Sequence, residues 1–175
     1  ILDIGSGNAP IPLILTTKTN AKIIGVEIQK EVYELGQKSV MINNLESNIT
    51  LINGDINDLY LKWESDIFDI IVCNPPFFKL NGNQKFNKSK YKTIARHEIN
   101  LDLNQIMIIS RKLLKNNGRI AIVHRPERLI EIIDIMLKNN ITPKKIQFAY
   151  PKPNKEANIL LIEGSKNGNL GINIL

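Results

Sequence analysis

The chain has 175 residues, 43% of them hydrophobic and 23% charged, values that suit a single globular domain with its own core and exclude a disordered chain. One cysteine excludes an internal disulfide framework and a multi-cysteine zinc site, His97 and His124 stand far from metal-ligand spacing, and no apolar run approaches the roughly 20 residues of a membrane span. A formal charge of +6 favours a polyanionic partner, although where the charges lie matters more than their sum.

Ile1–Ile4 reads as the end of a buried strand. The chain therefore opens in mid-strand, without an initiator methionine, and a preceding segment is expected. Gly5-Ser6-Gly7-Asn8-Ala9-Pro10 follows, and Ile11–Thr17 then carries apolar residues at helical spacing. Strand, glycine turn and helix in that order let a backbone approach a ligand closely, and proline suits a helix's first turn. The six-residue dinucleotide fingerprint is incomplete, because its third glycine position holds Pro10. Ala21–Glu27 is the second strand. It ends in an acid 20 residues after Gly7, the spacing at which a carboxylate binds ribose hydroxyls. A helix-capping glutamate is the competing reading.

Ile28–Asn43 reads as an amphipathic helix, with Val32, Leu35, Val40 and Met41 on or near its apolar face. Asn48–Ile52 is a short third strand, and Asn53-Gly54-Asp55-Ile56 turns the chain. Asp55 either caps the next helix or, at a strand's carboxyl end, meets a ligand. Ile67–Cys73 is a fourth strand whose near-continuous apolar pattern predicts burial on both faces, with Cys73 a small core residue.

That strand runs into Asn74-Pro75-Pro76-Phe77-Phe78. Asparagine brings an acceptor and two donors on a short stem, and prolines fix φ and donate no N–H, so their carbonyls must bond something other than a sheet neighbour. An acceptor cluster beside an aromatic ring is what holding a flat base by its amino group requires. The polar stretch 79–100 carries Lys79, Lys85, Lys88, Lys90, Lys92 and Arg96, interleaved with Phe86 and Tyr91. Cations for phosphates and rings for bases suit a looped nucleic acid.

Leu101–Leu114 is a helix stopped at Lys115-Asn116-Asn117-Gly118. Arg119–His124 is the fifth strand, and Arg125-Pro126-Glu127-Arg128 opens a helix running to about Leu137. Ile141–Tyr150 and Ala157–Gly164 are strands six and seven, joined by Pro151–Glu156. So short a connection makes them antiparallel. If strand six runs parallel to the others, the turn hangs Lys152 and Lys155 over the same edge as Asn74. Ser165–Leu175 is an edge or tail. Alternating strands and helices closed by a hairpin predict one α/β sheet.

Together, Asp3-x-Gly5-Ser6-Gly7, Glu27, Gly54-Asp55 and Asn74-Pro75-Pro76-Phe77 resemble the class I S-adenosylmethionine-dependent methyltransferases that modify exocyclic amino groups. Asn74–Phe78, Ala95-Arg96-His97-Glu98, His124–Arg128 and Pro151-Lys152-Pro153-x-Lys155-Glu156-Ala157-Asn158 are similar to the bacterial tRNA(Val) adenine-N6 methyltransferase family. The resemblance implies a Rossmann-like, seven-stranded, mostly parallel sheet with an antiparallel seventh strand over 1–175, and an N-terminal segment that helps close the site in family members. It implies S-adenosylmethionine as cofactor. Gly5 and Gly7 would lie against its methionine end and Asp3 near its amino group. Glu27 would take its ribose, and Asp55 with the Ile56 backbone its adenine, with Asn74 bordering both ligands. It further implies a tRNA substrate, with Asn74, Pro75, Pro76 and Phe77 as the catalytic corner. Phe77, Phe78, the loop cations, Lys152 and Lys155 would form the RNA side.

The residues by themselves leave rivals open: a guanine amine in rRNA, a protein glutamine, a nicotinamide-dependent oxidoreductase, or a non-catalytic RNA-binding module. The expectation is a cytoplasmic monomer without metal or membrane contact.

Overall fold

The computed structural model describes residues 1–75 and 101–175. Its strands are β1 (Leu2–Ile4), β2 (Ile23–Glu27), β3 (Ile49–Asn53), β4 (Phe68–Cys73), β5 (Leu114–His124), β6 (Ile141–Ala149), β7 (Ile159–Lys166) and β8 (Asn173–Ile174). They form one sheet in the order β3-β2-β1-β4-β5-β7-β6-β8. β7 runs antiparallel to both β5 and β6, and the other pairings are parallel. β6 therefore points the same way as β1, β4 and β5. The expected Rossmann-like α/β class and the antiparallel seventh strand are both present. Among the described residues the strand count is eight rather than seven, because the tail adds β8 beside β6.

The helices are α1 (Pro10–Thr16), α2 (Lys30–Ile42), α3 (Ile56–Lys62), α4 (Leu103–Leu113) and α5 (Leu129–Lys138), the last preceded by a 3₁₀ turn at Pro126–Arg128. They lie in two layers. Leu13 and Leu15 of α1 and Val40 of α2 pack on Ile23 and Ile49. Helices α3, α4 and α5 cover the opposite face, where Ile106, Met107, Leu113, Ile132 and Met136 close over Ile71, Ile120 and Leu160. Each such side chain contributes about 1.5–3 kcal/mol when fully buried.

Three expectations change. β4 is not buried on both faces: Ile71 is fully buried but Ile70 is 37% exposed. On the side of Val72 a hollow lies over the sheet, with Ile11 of α1 among its lining residues, and the described helices over β4 and β5 cover the other face. Leu35 and Met41 of α2 are more than half exposed. The helix turns Gly36 and Val40 inward instead. A Cβ on Gly36 would stand 2.9 Å from a Leu51 methyl and 3.2 Å from the Gly7 carbonyl, so this close approach sets the helix's phase. Finally, β5 begins at Leu114, paired to Phe68, before a register shift to the Ile70–Arg119 pair. The turn residues Lys115–Gly118 do turn, with Asn117 at φ 61°, but as an irregularity within the strand.

Candidate functional site

Chain order and strand order meet at one place. From β1 the chain steps outward to β2 and β3, then returns across the sheet to β4 and continues the other way to β5. The strand order therefore reverses between β1 and β4, and the crevice outside their carboxyl ends is where open α/β sheets take ligands. The registers Ile4–Val26, Glu27–Asn53 and Ile4–Cys73 bring Asn53, Glu27, Gly5 and Asn74 to this edge in one row. With adjacent strands about 4.8 Å apart, the row spans roughly 14 Å.

The turn after β1 is tightly wound. Gly5 and Gly7 sit at φ 73° and 58°, and Ala9 at 68°. Gly5 N and Ser6 N both donate to the Val26 carbonyl, at 2.9 and 3.0 Å. A Cβ on either glycine would meet nothing within 4 Å. Positive φ therefore selects glycine here, and the missing side chains leave the backbone open to a ligand.

Glu27 is 6% exposed. Its Oε2 accepts from Gly7 N at 3.0 Å and its Oε1 from Gln29 N at 2.8 Å. The carboxylate thus ties the glycine turn to the start of α2, and each oxygen keeps a lone pair for a hydroxyl donor. The Gly7 N–H would be a phosphate donor in a dinucleotide site. Here a carboxylate takes it, which opposes an anionic pyrophosphate at this turn.

Asp55 is the N-cap of α3, its Oδ1 accepting from Asn57 N at 2.8 Å and Asn57 Nδ2 at 3.0 Å. The capping reading is realised, and the same residue also lines a cleft of about 60 Å³ with Gly5, Val26, Ile28, Ile56 and Leu101. That volume is about two waters' share, room for the edge of a flat ring. Sequence reading missed Ile28 and Leu101. Ile28 was assigned to a helix, but α2 starts at Lys30 with Gln29 as its N-cap, leaving an apolar residue in the loop directly after the strand-tip acid. That juxtaposition was the available signal. A larger hollow of about 620 Å³ between α2 and β3 lies away from the strand tips, and another of about 370 Å³ reaches Cys73 and Val123, but neither gathers these groups.

Asp3 is 1% exposed, and neither of its oxygens has a hydrogen-bond partner among the described residues. The buried Ser6 hydroxyl is likewise without one. Burial, and then the Glu27 charge, pushes the Asp3 carboxyl up to about 7. Cys73 is a core residue whose thiol is pushed up by burial and then by the Asp3 charge. Asn74 leaves β4 exposed, and Pro75 is buried.

At the end of β5, His124 is 1% exposed. Burial first, and then Arg128, holds its pKa down at about 4. Its Nδ1 accepts from Arg125 N at 2.7 Å, its Nε2 lies 3.2 Å from Arg128 Nη1, and Arg128 is bidentate to Glu131. Arg125 reaches the Asn158 carbonyl at 3.2 Å. The His124–Arg128 motif therefore ties the end of β5 to α5 and to the start of β7. Because β6 is parallel to β4, the turn carrying exposed Lys152 and Lys155 emerges at the same sheet edge as Asn74. Pro76, Phe77, Phe78, Lys79, Lys85, Lys88, Lys90, Lys92, Arg96 and His97 lie outside the described residues. Among the described residues, no three His, Cys, Asp or Glu side chains converge as metal ligands, and no helix is long and apolar enough to cross a membrane.

Residues 1–160 match the family model described as a methyltransferase domain. The chain is 31% identical over 165 residues to a tRNA1(Val) (adenine(37)-N6)-methyltransferase of Porphyromonas gingivalis, covering 93% of this chain and 64% of that protein. It thus spans less than two thirds of that relative's length. Its fold is similar to that of a predicted O-methyltransferase from Agrobacterium tumefaciens, with TM-score 0.73 at 15% identity over 99% of this chain and 76% of the other. Geranyl diphosphate C-methyltransferase from Streptomyces coelicolor, solved with Mg²⁺, geranyl diphosphate and S-adenosyl-L-homocysteine, matches with TM-score 0.69 at 11% identity over 94% and 71%.

Proposed function

Given that the chain belongs to the methyltransferase-domain family, we propose that it transfers a methyl group from S-adenosylmethionine to the exocyclic N6 amine of an adenosine in tRNA. The observation that carries this reading is the exposed Asn74 at the tip of β4, one strand from Gly5 at the point where the strand order reverses. The Porphyromonas gingivalis relative, named for adenine 37 of tRNA1(Val), supports the substrate.

The residues fit such a cofactor. The open glycine turn admits a close backbone approach, Glu27 offers acceptors to ribose hydroxyls, and Asp55, Ile56 and Ile28 border a cleft for the adenine. Asp3 is a buried acid without a hydrogen-bond partner among the described residues, which suits the α-ammonium of the amino-acid end. When bound, S-adenosylmethionine supplies a methyl made electrophilic by its sulfonium. The Asn74 side-chain oxygen and the Pro75 carbonyl accept the two N–H groups of the target amine. Those bonds favour a pyramidal nitrogen with its lone pair localised and aimed, which is chiefly an effect of alignment. Phe77, a proposal from sequence alone, stacks on the base once it is splayed out of the RNA.

Proton loss after transfer goes to water. His124 accepts a backbone N–H and has its pKa held low, and Cys73 is sealed in the core. Neither serves as the base. Lys152 and Lys155 contact the RNA backbone. The reading makes the protein a cytoplasmic monomer.

The test is incubation with S-adenosylmethionine and, separately, bulk tRNA, rRNA and DNA, followed by mass spectrometry of nucleosides. N6-methyladenosine in tRNA alone is expected. Methylguanosine in rRNA, or no methylated nucleoside, would overturn the substrate assignment.

A further inference from the structure

Asp3 sits where a carboxylate is hardest to keep ionised. It lies in mid-β1 between Gly25 of β2 and Val72 of β4, and the glycine turn follows it directly in the chain. Neither oxygen accepts a hydrogen bond from a described residue. Among the described residues, the neighbouring elements offer it no positive charge: Glu27 at the tip of β2 is an acid, Cys73 on β4 is a thiol, and α1 carries no charged residue. Ser6 brings only a hydroxyl, itself unpartnered among the described residues. A buried carboxylate with no donor and a carboxylate neighbour favours its neutral form, and its pKa is accordingly raised to about 7.

An orphaned buried acid in a folded protein calls for an explanation. The cofactor reading provides one, since the group expected beside the glycine turn is an α-ammonium. We propose that Asp3 is carried as the neutral acid in the ligand-free protein and loses its proton when the α-ammonium of the cofactor's zwitterionic amino-acid end enters beside it, so that cofactor binding and proton release are a single equilibrium. The proton passes to solvent, and the resulting carboxylate pairs with the ammonium. The Glu27 charge that disfavours ionisation in the empty site is then offset by the incoming ammonium. This inference rests on the cofactor reading and adds to it a pH dependence: affinity falls about tenfold for each pH unit below about 7 and is level above it.

The test is calorimetric titration of the protein with S-adenosylhomocysteine, which carries the ammonium but transfers no methyl. Two buffers of different ionisation enthalpy are used at each of about pH 6 and about pH 8. Release of about one proton near pH 6 and of only a small fraction near pH 8 is expected. Asp3→Asn should abolish the release and flatten the affinity profile. Measurable binding by the wild-type protein without proton release at the lower pH would overturn the inference and leave the cofactor reading intact. Release that persists in Asp3→Asn would overturn the assignment to Asp3. Absence of binding at both pH values would sink the cofactor reading and this inference with it. Should Asp3→Asn fold poorly, the wild-type titration still tests the coupled release: a proton count near zero at about pH 6 would overturn the inference by itself.

Discussion

At the scale of single residues, the proposed site separates groups that hold the cofactor from groups that orient the nucleophile. Asn74→Ala should lower methyl transfer by on the order of 100-fold, the size of effect seen when one preorganised hydrogen-bonding group is removed from an active site. Its affinity for S-adenosylhomocysteine should stay near that of the wild type. Single-turnover rates alongside calorimetry would check both halves, and near-normal transfer would remove Asn74 from the mechanism. Asp3 also predicts how stability varies with pH in the ligand-free protein. In the unfolded chain the carboxyl titrates near 3.8, and in the folded protein near 7. Between those values the folded state holds the extra proton. The contribution of Asp3 to stability is therefore fullest below about pH 4, falls as pH rises, and levels off above about pH 7. The loss is on the order of 4 kcal/mol. Thermal unfolding across that range should show the decline in the wild type and a flatter curve in Asp3→Asn. Parallel curves would contradict it.

At the scale of elements, α2 and the glycine turn form one unit. Gly36 lets the helix lie against Leu51 and the Gly7 carbonyl, and Glu27 ties the same turn to the helix start. Gly36→Val should force the helix away, at about 1–3 kcal/mol for overpacking. It should also weaken S-adenosylhomocysteine binding, because the displaced neighbour is the turn's own backbone. Gly36→Ala should cost less, since gaining a helix-favouring side chain returns up to about 1 kcal/mol. Melting temperatures and binding isotherms of the two variants would test the coupling. A Gly36→Val protein destabilised but binding normally would show that helix and turn move independently. Of the apolar face expected from sequence on this helix, Val40 is buried and Val32 partly so, whereas Leu35 and Met41 are exposed. Leu35 and Met41 lie near the expected stripe, but the contact at Gly36 rotates them outward, and a glycine contributes nothing to a hydrophobic pattern.

At the scale of the whole molecule, the parallel course of β6 gives the Pro151–Glu156 turn its meaning. It brings Lys152 and Lys155 to the edge that carries Asn74, where phosphates of a bound RNA would pass. Replacing both with alanine should weaken tRNA binding and make the dependence of log K on log salt shallower by about 1–2, as expected for two lost phosphate contacts. Cofactor affinity should be unchanged. Filter-binding at several salt concentrations would measure the slope, and an unaltered slope would take the turn out of the RNA face.

What could be read from the sequence was local in its physics. The glycine turn, the acid 20 residues after Gly7, the Asn74–Pro75 corner and the strand–helix alternation are each set by neighbouring residues, through backbone sterics and side-chain periodicity. They were legible for that reason, and so was the α/β class. The register that sets Gly5 beside Asn74 depends on pairing between segments about 70 residues apart, and no local pattern encodes it. The irregular start of β5 likewise rests on the pairing of Leu114 with Phe68, and Ile70 is exposed where, among the described residues, no helix packs on β4. Asp3 makes the division plainest. Its identity is written in the chain, but its withdrawal from water and its closeness to Glu27 come from the stacking of β1 between β2 and β4. Desolvation is a property of the assembled sheet, so only the tertiary structure could turn an ordinary aspartate into one that holds its proton near neutrality.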